Sequence, residues 1–245
     1  MIFRQFLKPE TGCASYILGC GGKGMCIVVD PHPELIPQYL EVSEKTGMRI
    51  IAVIDTHIHA DHVSGNRELA AHTGAKLYLH EAAKTNFDYV PLKNGDTVQA
   101  GNVEVTVIHT PGHTPESISL LVTDKTRSQE PWFLLSGDTI FSGDAGRPDL
   151  ISEDGANQIY DSIFDKILTL PEYIEIYPAH FSGSVCGRGL SGKAASTIGF
   201  EKRFNKALQY ADKNEFVNKL LTNVPPKPAN MMEIVQKNKG EAGEN

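Results

Sequence analysis

The segment Thr56–Gly65, THIHADHVSG, places His57, His59, Asp61 and His62 within six residues, directly behind the apolar run Arg49–Asp55. An apolar run without alternation predicts a strand buried on both faces, the kind found in layered α/β folds with helices outside. Ligand sites in such layers lie beyond the carboxyl ends of the strands. A chain of this kind must therefore cover a central sheet on both sides and deliver imidazoles to its edge. Imidazole and carboxylate are the donors that suit zinc, iron or manganese. On the turn after the strand, His57 and His59 are expected to face one side, and Asp61 and His62 a neighbouring position. A polar loop meeting only water is the competing explanation. Four potential ligands at this spacing behind an apolar strand argue against it.

Three later segments repeat the arrangement. His113 lies in HTPGHTPES after the predicted strand Val103–His109, Asp138 in LLSGDTIFSGDAGRPD after Trp132–Leu135, and His180 in IYPAHFSGS after Ile174–Tyr177. Singly, His113 or His180 would be read as a structural or surface residue. Together, four strand ends supply seven candidate ligands: His57, His59, Asp61, His62, His113, Asp138 and His180.

Elsewhere, Ala14–Gly19 and Met25–Asp30 read as strands joined by the glycine-rich turn Gly19–Gly24, which lacks the GxxxxGK[ST] spacing of a phosphate loop. Helices are predicted over Pro33–Thr46, Val63–Thr73 and Gln158–Thr169, and strands over Lys76–Leu79, Ser117–Val122 and Trp132–Ser136. Ala194 to Leu221 reads as helical, Val224–Ala229 as polyproline, and Lys237–Asn245 as a polar tail expected to fray. Strands followed by strand–helix units occur twice, which predicts two mixed sheets packed face to face with helices outside. The predicted organisation is one catalytic domain over 1–223, with C-terminal helices in 194–223, then a Pro-rich segment and polar tail over 224–245.

The chain has 245 residues, of which 40% are hydrophobic, enough for the core of one such domain. Lysine and arginine total 23 against 30 acids; the net charge of −7 disfavours nucleic acid as a partner. No run reaches the roughly 18 apolar residues that a membrane helix needs. The four cysteines form no CxxC pair, and the start MIFRQFLKPETG is too soon charged for a signal peptide. A cytoplasmic protein with reduced thiols and no membrane association is expected.

The HxHxDH motif followed in order by His113, Asp138 and His180 resembles the metallo-β-lactamase superfamily over nearly the whole chain. The resemblance implies an αββα sandwich with a metal site at one edge of the sheets. The fold hosts hydrolases, nucleases and oxidoreductases, so it does not give the reaction by itself. Two subfamilies are similar. Glyoxalase II is a dizinc thioesterase acting on a glutathione thioester. Persulfide dioxygenases use one iron(II) and O2 to oxidise a persulfide to sulfite and thiol. The stretch GDTIFSGDAGRPDL around Arg147, and Cys186–Glu201, look like bacterial persulfide dioxygenases, several of which continue into a rhodanese domain.

That resemblance implies iron(II), one per chain, held by His57, His113 and Asp138. His59, Asp61, His62 and His180 then either orient ligands and bound water or complete a second metal position; the residue types fit both. Asp61, Arg147 and Cys186 are the candidate catalytic residues. Arg147 could face an anionic substrate or pair with Asp144 or Asp149. Cys186 could accept a sulfane sulfur beside Arg188, or play no part. Cys13, Cys20 and Cys26 are assigned to packing. Phe181 and Ser182 stand where glutathione-using relatives carry aspartate and tyrosine, which leaves glutathione, coenzyme A and hydrogen polysulfide open as the thiol. The expected partners are a small persulfide and O2, a separate rhodanese, and a second copy in a homodimer paired through edge strands. The alternatives are a two-zinc glyoxalase II-like hydrolase and a non-enzymatic sulfur-carrier or metal module serving a rhodanese.

Overall fold

The computed structural model describes residues 1–148, 154–182, 187, 189–210, 212–222, 224, 226–227 and 230–241. Among these, two six-stranded sheets divide the chain between them. The first sheet runs in chain order: β1 (Ile2–Lys8), β2 (Cys13–Cys20), β3 (Met25–Val29), β4 (Arg49–Ile54), β5 (Lys76–His80) and β6 (Val90–Leu92). Its first three strands are antiparallel, and β3 to β6 are parallel. The second sheet holds β7 (Thr97–Ala100), β8 (Val103–His109), β9 (Ile118–Asp124), β10 (Phe133–Gly137), β11 (Glu175–Pro178) and β12 (Ser196–Thr197), antiparallel except for β10 on β11.

The sheets meet face to face, as expected of an αββα sandwich. Leu18, Ile27, Val29 and Ile54 of the first sheet are buried against Val105, Val107, Leu120, Val122 and Leu135 of the second. Side chains alternate across a strand, so the intervening residues of β3, Cys26 and Val28, enter a separate cluster with Tyr39 and Leu69 of the covering helices. In β10, Leu134 likewise turns outward to Ile159 and Ile163. Both faces of these strands are buried, which is why their sequences lack polar alternation.

The helices are α1 (Ile36–Thr46), α2 (Asn66–Thr73), α3 (Gly155–Tyr160), α4 (Ile198–Phe204), α5 (Lys213–Leu221) and α6 (Met231–Asn238). Several depart from the sequence prediction. The predicted helix Val63–Thr73 starts only at Asn66, because the Ser64 and Gly65 amides donate to Asn238 Oδ1 and the Pro31 carbonyl. The helix predicted over Gln158–Thr169 begins at Gly155 and continues as a π-helix over Asp161–Ile167. The span from Ala194 to Leu221 is interrupted by β12 and by a 3-10 turn at Lys206–Leu208, which the Asn205 side chain caps. The sequence reading assigns no helix after Leu221, yet α6 forms there and takes in Lys237 and Asn238 of the tail expected to fray, with Met231, Ile234 and Asn238 buried on one face at i, i+3 and i+7. The polyproline assignment over Val224–Ala229 falls partly outside the described residues. Among the described residues, no helix is long and apolar enough to cross a membrane.

Candidate metal centre

Four loops at the carboxyl ends of β4, β8, β10 and β11 converge at one edge of the sandwich. The sheets are joined there: Ala14 donates to the Ala179 carbonyl, Phe181 donates to the Gly12 carbonyl, and Cys13 and His180 form an isolated bridge.

The loop after β4 leaves the strand ladder, and side chains satisfy part of its backbone. The Thr56 amide donates to Asp30 Oδ1 at 2.7 Å, and the Ile58 amide to buried Glu116 Oε1 at 2.9 Å. Asn66 Nδ2 donates to Asp55 Oδ2 at 2.6 Å. Asp30 takes a left-handed φ of 51°, a region that aspartate tolerates better than most residues. Gly137, at φ 54°, makes the bend that delivers Asp138; a Cβ there would lie 2.8 Å from Thr56 Oγ1. The roles of Asp30, Asp55, Glu116 and Asn238 were not foreseen, because nothing local in the sequence marks a residue that acts through a distant loop.

The seven predicted residues fall into three groups. His57, His113 and Asp138 form the first. His57 Nε2 and His113 Nε2 lie 3.8 and 3.5 Å from Asp138 Oδ2, and neither has a hydrogen-bond partner although both are buried. Their tautomers follow from their other nitrogens. His113 Nδ1 lies 3.0 Å from the Arg147 carbonyl, which can only accept. His57 Nδ1 lies 3.0 Å from Thr56 Oγ1, whose proton goes to the Asp30 carboxylate. Each ring therefore donates from Nδ1 and turns the Nε2 lone pair towards Asp138. Burial pushes His57 well below the ordinary imidazole pKa, helped by the neighbouring His59 charge, and burial also lowers His113. Both rings are neutral, the form that binds metals. Burial would raise Asp138, but the charge and hydrogen bonds of His180 hold it well below the usual carboxylate range. Two imidazole lone pairs and a carboxylate oxygen, converging without other partners, fit a divalent transition metal: bonds of about 2.1 Å place neighbouring donors roughly 3.0–3.4 Å apart.

Cys13, Asp61, His62 and His180 form the second group, whose donors are engaged with one another except for His62 Nε2, which has no hydrogen-bond partner. His180 Nδ1 lies 2.7 Å from Asp138 Oδ1, and Nε2 lies 2.8 Å from Asp61 Oδ2. His62 Nδ1 lies 3.1 Å from Asp61 Oδ1. Burial opposes charge on His62, but Asp61 overcomes it and raises the ring to about 10. Cys13 does more than pack: its Sγ lies 3.6 Å from His180 Nε2 and 3.7 Å from Asp61 Oδ2. Burial would raise this thiol, yet His180 and His62 bring it down to about 6. Cys20 and Cys26 are core residues, as expected.

His59, expected on the same side as His57, belongs to the third group with Asp30 and Asp55. Its Nε2 lies 3.3 Å from Asp30 Oδ1. Burial would lower His59, but the two carboxylates raise it. Arg147 is buried, and its carbonyl fixes His113. Cys186, Arg188 and Asp149 lie outside the described residues.

A family model, the metallo-beta-lactamase superfamily, matches residues 9–180. The human protein named persulfide dioxygenase ETHE1, mitochondrial, is 27% identical over 230 residues, covering 93% of this chain and 84% of that one. The hydroxyacylglutathione hydrolase of Nitrosococcus oceani is 32% identical over 169 residues, 68% of this chain and 61% of its own. Among solved structures, a metallo-beta-lactamase from Staphylococcus aureus subsp. aureus COL superposes with a TM-score of 0.92 at 37% identity, over 99% of this chain and 73% of that one. ETHE1 from Myxococcus xanthus superposes with a TM-score of 0.86 at 27% identity, over 99% and 100%.

Proposed function

The chain belongs to the metallo-β-lactamase superfamily, and from that premise we propose that it is a non-haem iron(II) persulfide dioxygenase with one metal per chain. The observation that carries this reading is the contrast between two donor sets. His57 and His113 hold unpartnered Nε2 atoms against Asp138, whereas His180 spends its nitrogens on Asp138 and Asp61. A second metal would have to displace those bonds. The relatives support the same choice: the match to persulfide dioxygenase ETHE1 spans 93% of the chain, that to the hydrolase 68%.

Iron(II) held by these two histidines and one carboxylate would supply the electron chemistry that joins O2 to a sulfane sulfur. The balanced reaction is RSSH + O2 + H2O → RSH + H2SO3. The chain's own part is orientation and proton handling. Thr56 Oγ1 and the Arg147 carbonyl hold the two rings. His180, bridging Asp138 and Asp61, keeps Asp138 anionic, and a proton on its Nε2 is shared with Asp61 Oδ2. Asp61 and His62 are the more exposed members, each side chain 11% accessible, and link the buried His180 ring to solvent. Arg147 and Cys186 keep their proposed roles in substrate anchoring and sulfur acceptance.

A cleft of about 750 Å³ borders the loop that follows Asp138 and gathers Lys193, Lys206 and Lys219 with Phe200, Phe204 and Tyr210. Three lysines in a cleft lined by aromatic rings suit an anionic thiol carrier, with glutathione persulfide or a similar compound as substrate. A small persulfide, O2 and a separate rhodanese are the proposed partners, in a cytoplasmic setting.

Metal analysis of protein purified without added metal tests the proposal. One iron per chain, with oxygen uptake on adding glutathione persulfide, is expected. Two zincs per chain with thioester hydrolysis would replace it by the hydrolase reading.

A further inference from the structure

We infer that Asn238, on the last helix, is a positioning residue that holds the loop between β4 and α2 in its metal-binding shape. The inference rests on the metal site proposed above. Asn238 is 4% exposed, and its side chain spans the loop. Its Nδ2 donates to the carbonyls of His59 at 2.8 Å and His62 at 2.9 Å, and its Oδ1 accepts from the Ser64 amide at 2.9 Å. One carboxamide thus serves three backbone groups of a segment that carries His57, His59, Asp61 and His62. Only a side chain with both donors and an acceptor can do this: aspartate lacks the donors, and alanine lacks everything.

The helix that carries Asn238 is itself fixed. Met231 and Ile234 are buried. Val235 packs with Ile58, which lies between His57 and His59, and with Leu79 and Ala83. The Arg67 guanidinium donates to the Lys237 carbonyl at 3.0 Å and lies over the Phe87 ring. The Asn86 amide donates to the Lys239 carbonyl at 2.8 Å, and Gly240, at φ 69°, turns against Phe87. The loop is therefore pinned from the strand side by Asp30 and Glu116 and from the helix side by Asn238. Outer partners that orient metal ligands are worth about 10–100-fold in metal affinity when removed.

Cobalt(II) is the probe. Its dissociation constant is measured by chelator competition on metal-free, full-length wild type, Asn238→Ala, Asn238→Asp and Lys237→Ala, with the visible absorption of each cobalt form. We expect Asn238→Ala to weaken binding about 10–100-fold and to shift the cobalt band, Asn238→Asp to act in the same direction, and Lys237→Ala to match wild type. A purely structural asparagine would lower the unfolding midpoint of the metal-free protein while leaving affinity and spectrum unchanged, and that result overturns the inference. Should Asn238→Ala lose its near-ultraviolet circular dichroism, the nearly isosteric Asn238→Asp decides. Wild-type protein that binds no cobalt would overturn the metal site itself, and the inference with it.

Discussion

His180 grips Asp138 through both carboxylate oxygens, with Nδ1 at 2.7 Å from Oδ1 and 3.0 Å from Oδ2. A histidine used in this way steadies a ligand and need not be one. His180→Ala is expected to keep one metal per chain while weakening its retention about 10–100-fold. Metal content before and after a chelator challenge checks this. A fall from two metals to one would place His180 in a second metal position.

Removal of a direct donor should be more drastic. His57→Ala, His113→Ala and Asp138→Asn leave two of the three converging donors. Metal binding to the native state stabilises by RT ln(1 + [L]/Kd), about 2.7 kcal/mol at a hundredfold excess over Kd. The unfolding midpoint of wild type should rise on adding iron(II) under anaerobic conditions, and those of the three variants should not. A variant that keeps both its iron and the thermal shift would remove that residue from the ligand set.

Gly146 approaches Asp138 so closely that a Cβ there would lie 1.9 Å from the Asp138 carbonyl oxygen. Gly146→Ala must push that backbone aside. We expect it to lose metal as thoroughly as Asp138→Asn while remaining folded, read by metal content together with circular dichroism.

His80 supplies a pH dependence away from the metal loop. Its ring stacks on His109 at 3.9 Å and accepts the Ala82 amide at Nδ1. Burial and the neighbouring His109 lower it to about 4 from 6.5. Between these values the unfolded chain binds a proton that the folded one refuses. The contribution is whole above pH 6.5 and is lost as the pH falls towards 4. The metal-free protein should melt at lower temperature at pH 5 than at pH 7, and His80→Asn should flatten that slope. His32, also lowered to about 4 by burial, keeps the slope from vanishing.

The sequence discloses what is continuous in it. Arg49–Ile54 and Phe133–Gly137 are buried on both faces, so their apolar runs stand out, and the histidines and acids behind them mark the site. Strands β1, β6, β7 and β12 went unread, because they are short or lie at sheet margins with polar residues interleaved. The family resemblance set His57, His113 and Asp138 apart, but the residues alone do not show how the remaining ligand types divide. His57 and His59 are two residues apart, yet Asp138 claims one and Asp30 the other, and those partners come from different sheets. The α6 helix had a readable signal in the spacing of Met231, Ile234 and Asn238, masked by the charged residues around it.

Among the described residues, the strands pass from one sheet to the other just once, at residues 93–96 between β6 and β7. A backbone nick in that connection would leave two fragments, each keeping its own strand ladders. His57 would sit on one fragment, and His113 and Asp138 on the other. The core buried between the sheets would drive the fragments back together, and any metal ion held by His57, His113 and Asp138 would tighten that association, so the affinity of one fragment for the other would report on metal.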